Sequence, residues 1–183
     1  MARVAVFIFL CFCAIFAAAA FGIVHNQISF TVGPSYFYDV KFAQFGIDPM
    51  FQNRIGASVV GVLASWWMGL IMGIPAFALG AVTQKGRRRY FYAGLRAIGV
   101  AVSVAAIGAF IGLAFGHIAD INALVGFLPN IDAFSDPMGF VRAAVMHEAS
   151  YAGGAIGALA ALYVMWRARE TRSTQGEHNA ASK

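Results

Sequence analysis

The chain has 183 residues, of which 60% are hydrophobic and 11% charged, and its mean hydropathy is +0.71. Soluble domains are about 45–50% apolar and about 25% charged, so the composition excludes a soluble globular protein and predicts an integral membrane protein. The net charge of +5 does not indicate nucleic-acid binding, because the basic residues cluster at the ends of apolar segments, where membrane topology explains them.

Four charge-poor segments are long enough to cross a bilayer, which requires about 20 apolar residues. They cover roughly residues 4–24, 56–82, 95–117 and 140–166. The sequence therefore predicts an all-α membrane protein with one domain over residues 1–170, a four-helix transmembrane bundle with a short outer loop or β-hairpin as its cap. Residues 171–183 are polar and small, and we expect them to form a disordered cytoplasmic tail.

The first segment has two interpretations. It has a basic start at Arg3 and an alanine run at residues 17–20 that resembles a signal-peptidase site, so cleavage would leave three spans. Apolar character continues past the alanines as far as Val24, which favours a retained anchor. The two cysteines of the chain, Cys11 and Cys13, lie inside this segment and indicate neither a disulfide framework nor a zinc site.

The stretch VHNQISFTVGPSYFYDVKFAQFGI, residues 24–47, connects the first two segments. Ile28, Phe30 and Val32 alternate with polar residues at a period of two, and the Gly-Pro pair that follows favours a turn. We therefore expect a short hairpin across the outer mouth of the bundle, with its aromatic rings seated in the headgroup region. A lid over a binding site is the alternative interpretation.

Small residues recur at four-residue spacing on the last three segments, a pattern typical of closely packed membrane helices. We predict that these residues form helix-packing stripes. They are Gly61, Ser65, Gly69 and Gly73 on the second segment, Gly108, Gly112 and Gly116 on the third, and Gly153 and Gly157 on the fourth. The pattern does not predict which helices pair.

The distribution of Lys and Arg predicts the orientation. Arg3, the loop at residues 85–89 and the segment at residues 167–172 carry most of the basic residues, and they fall on one side of a four-span arrangement. By the positive-inside rule this side is cytoplasmic, so both termini are predicted to lie in the cytoplasm of a bacterium and the chain in its inner membrane.

Polar side chains collect at the outer ends of the predicted spans, and ionisable groups within a span usually face protein or water rather than lipid. These residues form the candidate site: His25, Asn26, Gln27, Tyr36, Arg54, His147, Glu148 and Tyr151. On a helix His147 and Tyr151 share a face, while Glu148 points about 100° away.

Three interpretations of these polar residues are open. In the first, the protein is not an enzyme, and the residues form a buried cap that organises the bundle or binds a partner, either another membrane protein or a second copy. In the second, His147, Glu148 and Arg54 form the titrating path of a small transporter or channel component. In the third, they form a metal, haem or quinone site. HEASY is not the HExxH zinc motif and no spacing requires a ligand, so we expect no metal and no cofactor. We expect the lipid bilayer to surround the chain, and we expect the chain not to bind nucleic acid.

Several motifs together resemble a family of uncharacterised bacterial four-span membrane proteins. The motifs are HNQI at the end of the first span, a Tyr-Phe pair in the following loop, the double tryptophan of SWWMGLIMGIP, and HEASYAGG. The matching residues are His25, Asn26, Gln27, Tyr36, Phe37, Trp66, Trp67, Gly69, Pro75, His147, Ser150, Tyr151 and Gly154. The resemblance covers roughly half of the chain, and it implies the four-span architecture without implying an activity.

Overall fold

The computed structural model describes residues 2–119 and 133–169. Within these residues the chain forms four long helices, α1 (Ala2–Val32), α2 (Arg54–Thr83), α3 (Arg87–Ile118) and α4 (Pro137–Arg167), and no strand. Each of the four is long and apolar enough to cross a membrane. The predicted all-α fold class is confirmed, and the chain is a multi-pass integral membrane protein. The tail expected to be disordered lies outside the described residues.

The four helices are longer than the apolar segments that predicted them. Each has 30 to 32 residues, or about 45 Å, whereas the hydrocarbon core of a bilayer is about 30 Å thick. We call the end of the bundle opposite the basic loop at residues 85–89 the outer end. Side-chain caps fix two helix starts there: Asn53 accepts a hydrogen bond from the Ile55 N–H, and Asp136 accepts one from the Gly139 N–H. The helices are longer than the hydrocarbon core is thick, so their ends can carry polar side chains.

The predicted β-hairpin is wrong. Residues 33–53, which we call the outer cap, contain a π-helical turn at Tyr36–Lys41 and short helical turns at Phe42–Gln44 and Pro49–Phe51. The residues that alternate at a period of two belong instead to the last turns of α1. Gln27 and Thr31, four residues apart on this helix, both hydrogen-bond to Arg54 of α2. These tertiary contacts favour a helix where local alternation favoured a strand.

Helices α1 and α2 pack backbone to backbone. A Cβ atom placed on Gly61 would collide with the Gly22 carbonyl of α1. One placed on Gly69, about 12 Å further along α2, would collide with the α1 backbone at Ala14. Between these points the Ser65 hydroxyl shares its proton between the Ala18 carbonyl of α1, at 2.8 Å, and the Gly61 carbonyl of its own helix, at 2.6 Å. Small residues thus allow the close approach that van der Waals packing in lipid requires.

Helices α3 and α4 form the second pair through the remaining glycines. A Cβ atom at Gly108, Gly112, Gly153 or Gly157 would press against the backbone of the facing helix. Gly116 lies at a looser point of the contact, where an added Cβ atom would be 3.4 Å from the nearest atom of α4. The bundle is therefore built from two helix pairs, α1 with α2 and α3 with α4.

The two pairs meet at their basic end around a buried cluster that includes Leu10, Phe77, Tyr90 and Met165, one from each helix. The Tyr90 hydroxyl donates to the Phe77 carbonyl at 2.9 Å, and the Gln84 amide donates to the Met165 carbonyl at 2.9 Å. A second connection between the pairs lies at the outer end, where most of the candidate site residues are found.

Candidate functional site

A buried hydrogen bond joins the two pairs at the outer end. His147 of α4 is 6% exposed, and its Nε2 atom lies 3.1 Å from the Oγ atom of Ser29 on α1, which is fully buried. Ser29 can donate its own proton to the Asn26 carbonyl, 3.4 Å away. A protonated Nε2 of His147 donates to Ser29 in one tautomer, and an unprotonated Nε2 accepts from the Ser29 hydroxyl in the other. The Ser150 hydroxyl donates to the His147 carbonyl at 2.7 Å and completes this group.

His25 of α1 packs against the same imidazole. The ring centroids of His25 and His147 are 4.3 Å apart at an interplanar angle of 75°, and His25 is 5% exposed. The Asn26 side chain and the Met146 carbonyl are its polar neighbours, yet Nε2 of His25 is buried without a hydrogen-bond partner among the described residues. An unsatisfied buried polar group costs about 1–3 kcal/mol, so a hydrogen-bond partner for Nε2 of His25 would stabilise the site.

The outer cap covers the imidazole of His147 with aromatic rings. The Tyr36 ring lies 4.7 Å from the His147 ring and 5.3 Å from the Phe140 ring. Phe37, which is fully buried, lies behind it, 6.3 Å from His147. Burial raises the pKa of the Tyr36 hydroxyl, because the charged form would lose its hydration. The cap therefore closes the outer end with rings that stay neutral.

Asn26, Gln27 and Arg54 hold α1 to α2 and not to α4. The Asn26 amide donates to the Ala57 carbonyl at 2.9 Å in a buried position. The Gln27 amide donates to the Arg54 carbonyl at 2.8 Å, and the Arg54 guanidinium donates to the Thr31 hydroxyl at 3.1 Å. The structure thus places Arg54 at an exposed position at the outer end of the first pair. Its partners on α1 are Gln27 and Thr31 and do not include His25.

Tyr151, Glu148 and Lys41 lie at the mouth of the site. The Tyr151 ring is 6.3 Å from the His147 ring, on the shared face that helical spacing predicts, while Glu148 is exposed. Lys41 of the outer cap donates to the Gln44 side chain at 2.9 Å and lies over the Tyr36 ring at 5.1 Å. Burial lowers the pKa of the Lys41 ammonium, and the negative charge of Glu148 opposes this shift. A partly desolvated cation thus lies beside the histidine pair.

A cavity of about 610 Å³ lies between the two helix pairs beneath these residues. This volume falls within the range of about 300–1,000 Å³ that is typical of ligand sites. Most of its wall is apolar, and the polar side chains collect at its outer end, where His25, Asn26, Lys41, Gln44, His147 and Tyr151 line it. Leu63 and Trp67 also line it and are 43% and 42% exposed, so the cavity opens sideways toward the hydrocarbon.

The arrangement does not favour a metal centre. The described residues contain no group of three or more His, Cys, Asp and Glu side chains that could hold a metal ion. His117, a third histidine of the outer side, lies exposed at the end of α3, with Nδ1 2.8 Å from the Leu113 carbonyl.

Sequence reasoning missed Ser29 and Lys41 as members of the site. Ser29 lies four residues after His25 and four before Gly33, which is the spacing of one helical face. Gly33 packs against Gly139 of α4, so this face of α1 is the one that meets the second pair. The helical spacing around Ser29 was therefore present in the sequence. We overlooked it because we interpreted the same residues as a strand.

The chain has no significant match to a protein-family model, to a curated protein or to a solved structure. The class of protein therefore follows from the fold alone. It is a multi-pass integral membrane protein whose described residues form four apolar helices in two pairs.

Proposed function

We propose that this membrane protein is not an enzyme and that its outer polar cluster organises the bundle by holding one helix pair against the other. The outer polar cluster comprises His25, Asn26, Ser29, Tyr36 and His147. The observation that supports the proposal is the buried hydrogen bond between His147 and Ser29, since its two members belong to different pairs.

The magnitudes favour a positioning role. Within each pair, the small residues provide continuous backbone contact along the helices. Between the pairs the cavity interrupts contact. At the outer end the cap also joins α4, through the Ser35 hydroxyl, which donates to the Asp136 carbonyl at 2.8 Å, and through apolar packing on Ala143. A hydrogen bond between membrane helices contributes about 0.6 kcal/mol on average, and a ring pair about 0.5–1.5 kcal/mol. The His147–Ser29 bond and the His25 and Tyr36 ring contacts together supply about 1–4 kcal/mol, enough to select one arrangement of the pairs.

We further propose that the protein lies in a bacterial inner membrane with both termini in the cytoplasm. Arg3 at the start of α1, the loop at residues 85–89 and Arg167 at the end of α4 occupy the same end of the bundle. The Arg3 guanidinium, which donates to the Ala81 carbonyl of α2 at 3.2 Å, supports this placement. Basic residues favour the cytoplasmic side. A membrane-protein partner or a second copy of the chain stays a prediction.

The experiment compares the unfolding of Ser29→Ala, His147→Phe and the double variant in lipid nanodiscs. Each single variant is expected to lose about 1 kcal/mol, and the double variant is expected to lose less than the sum, because both substitutions remove the same bond. Ser103→Ala is the matched control, since Ser103 is exposed on α3. Additive losses in the double variant would contradict the proposed link between the pairs.

No contact of the described residues supports the transporter hypothesis specifically. Arg54 bonds to α1, Glu148 is exposed, and His147 is enclosed by rings, so the three do not form a line of hydrogen-bonded groups. A proton-flux assay in proteoliposomes separates the two functions. Loss of a wild-type flux in a His147→Phe protein of unchanged stability would replace the organising role with transport.

A further inference from the structure

The cavity has the length of one lipid chain. Its α1 wall runs from His25 to Ala14, eleven residues earlier, which corresponds to about 16 Å along the helix. This is close to half of the roughly 30 Å hydrocarbon core, the depth that the chains of one leaflet occupy. On α4 the wall extends from His147 to Ala161 in the same direction. The cavity is thus an elongated apolar slot that begins at the outer interface.

The outer end of the slot presents one buried polar atom without a described partner, on His25, and one cation, on Lys41. Nε2 of His25 is buried and has no partner among the described residues, and His25 lines the cavity. Lys41 brings a half-buried positive charge to the same end. No carboxylate is among the described residues that line the cavity, since Glu148 acts on Lys41 only from outside the lining. The missing group is therefore an anion that accepts hydrogen bonds.

We propose that the slot binds a long-chain carboxylate, a fatty-acid-like amphiphile with a single chain. Its carboxylate accepts hydrogen bonds from Nζ of Lys41 and Nε2 of His25, and its chain lies along the apolar wall. The molecule enters from the outer leaflet through the lateral opening beside Leu63 and Trp67. This binding activity goes beyond the organising role of the polar cluster.

The chemistry of the slot favours this ligand over other membrane amphiphiles. A quinone is neutral and brings Lys41 no opposite charge inside the cavity, whereas a carboxylate forms charge-assisted hydrogen bonds, which are about twice as strong as neutral ones. The lateral opening makes entry from the bilayer possible without opening the outer cap.

The experiment measures binding of tritiated palmitate to the full-length protein in nanodiscs, with hexadecanol as the uncharged probe of equal length. Lys41→Met keeps the apolar stem and is expected to weaken palmitate binding at least about tenfold, because the charge-assisted bond is lost. Lys41→Arg is expected to restore affinity to within about threefold of the wild type. Lys85→Met, at the opposite end of the bundle, is the matched control and should bind like the wild type.

A second pair of variants tests the slot and does not depend on the fold of the outer cap. Val102→Phe fills the apolar wall and should abolish saturable palmitate binding, while Ile107→Phe, on the exposed face of α3, should not. Unchanged binding to Val102→Phe would overturn the proposal. Equal affinities for palmitate and hexadecanol would also overturn it. Displacement of palmitate by ubiquinone or phosphatidylglycerol at lower concentration than by unlabelled palmitate would identify a different ligand and overturn it as well.

Discussion

The Gly61→Ala substitution is a sharp test of how α1 and α2 are held together. The added methyl group would collide with the Gly22 carbonyl and approach the Ile23 nitrogen at 2.9 Å, and both are backbone groups that cannot rotate away. The two helices must therefore separate. Overpacking of this kind costs about 1–3 kcal/mol.

Separation of the helices would also weaken the hydrogen bonds on either side of the contact. Asn26 bonds to the Ala57 carbonyl at 2.9 Å, and Ser65 bonds to the Ala18 carbonyl at 2.8 Å. Two such bonds are worth about 1 kcal/mol together. The better helix propensity of alanine returns up to about 1 kcal/mol. The expected net loss is about 1–3 kcal/mol.

Two other glycines provide a graded control. A Cβ atom on Gly154 would lie 3.1 Å from the end of the flexible Met72 side chain, and one on Gly99 would meet nothing within 4 Å. Reversible unfolding in mixed micelles should therefore rank the alanine variants with Gly61 least stable, Gly154 intermediate and Gly99 at or above the wild type. Equal stability of Gly61→Ala and Gly99→Ala would refute the backbone contact between α1 and α2.

Three further predictions concern single side chains. Tyr90→Phe removes the hydrogen bond to the Phe77 carbonyl and should destabilise the protein by about 1 kcal/mol in an unfolding titration. Because burial raises the pKa of Tyr36 above its ordinary value of 10.0, stability should fall as the pH rises above that value, since the unfolded state releases the proton first. Tyr36→Phe should lessen this fall, and Tyr38→Phe, at a half-exposed ring, should keep the wild-type profile when thermal melts are compared. Arg54→Met should cost less than about 1 kcal/mol, because its partners are exposed.

Sequence alone predicted the features that depend on local composition. Four apolar segments predicted the four helices, because a bilayer span needs a continuous run of about 20 apolar residues. The stripe that includes Gly61 and Gly69 predicted close helix packing, and both glycines lie against the α1 backbone. The order of the spans also placed His25 and His147 at the same level, and the structure brings their rings to 4.3 Å.

Features that depend on tertiary contacts could not be predicted from the sequence. The glycine stripes are chemically alike, so they could not show that α1 pairs with α2 and α3 with α4. The alternation around Phe30 matched a strand, but the hydrogen bonds of Gln27 and Thr31 with Arg54 belong to a helix. The cavity arises because the two pairs diverge between their connected ends, and no local pattern encodes that separation.

The most direct test of the organising role measures the distance between the two helix pairs at the outer end. Spin labels at Ile55 of α2 and Phe115 of α3, both exposed, report this distance by double electron–electron resonance, with the two native cysteines replaced by serine. The wild type should give one narrow distance distribution. The Ser29→Ala, His147→Phe double variant should give a broad or displaced one, because the buried bond between the pairs is gone. An unchanged narrow distribution in the double variant would contradict the claim that the outer polar cluster holds the two pairs together.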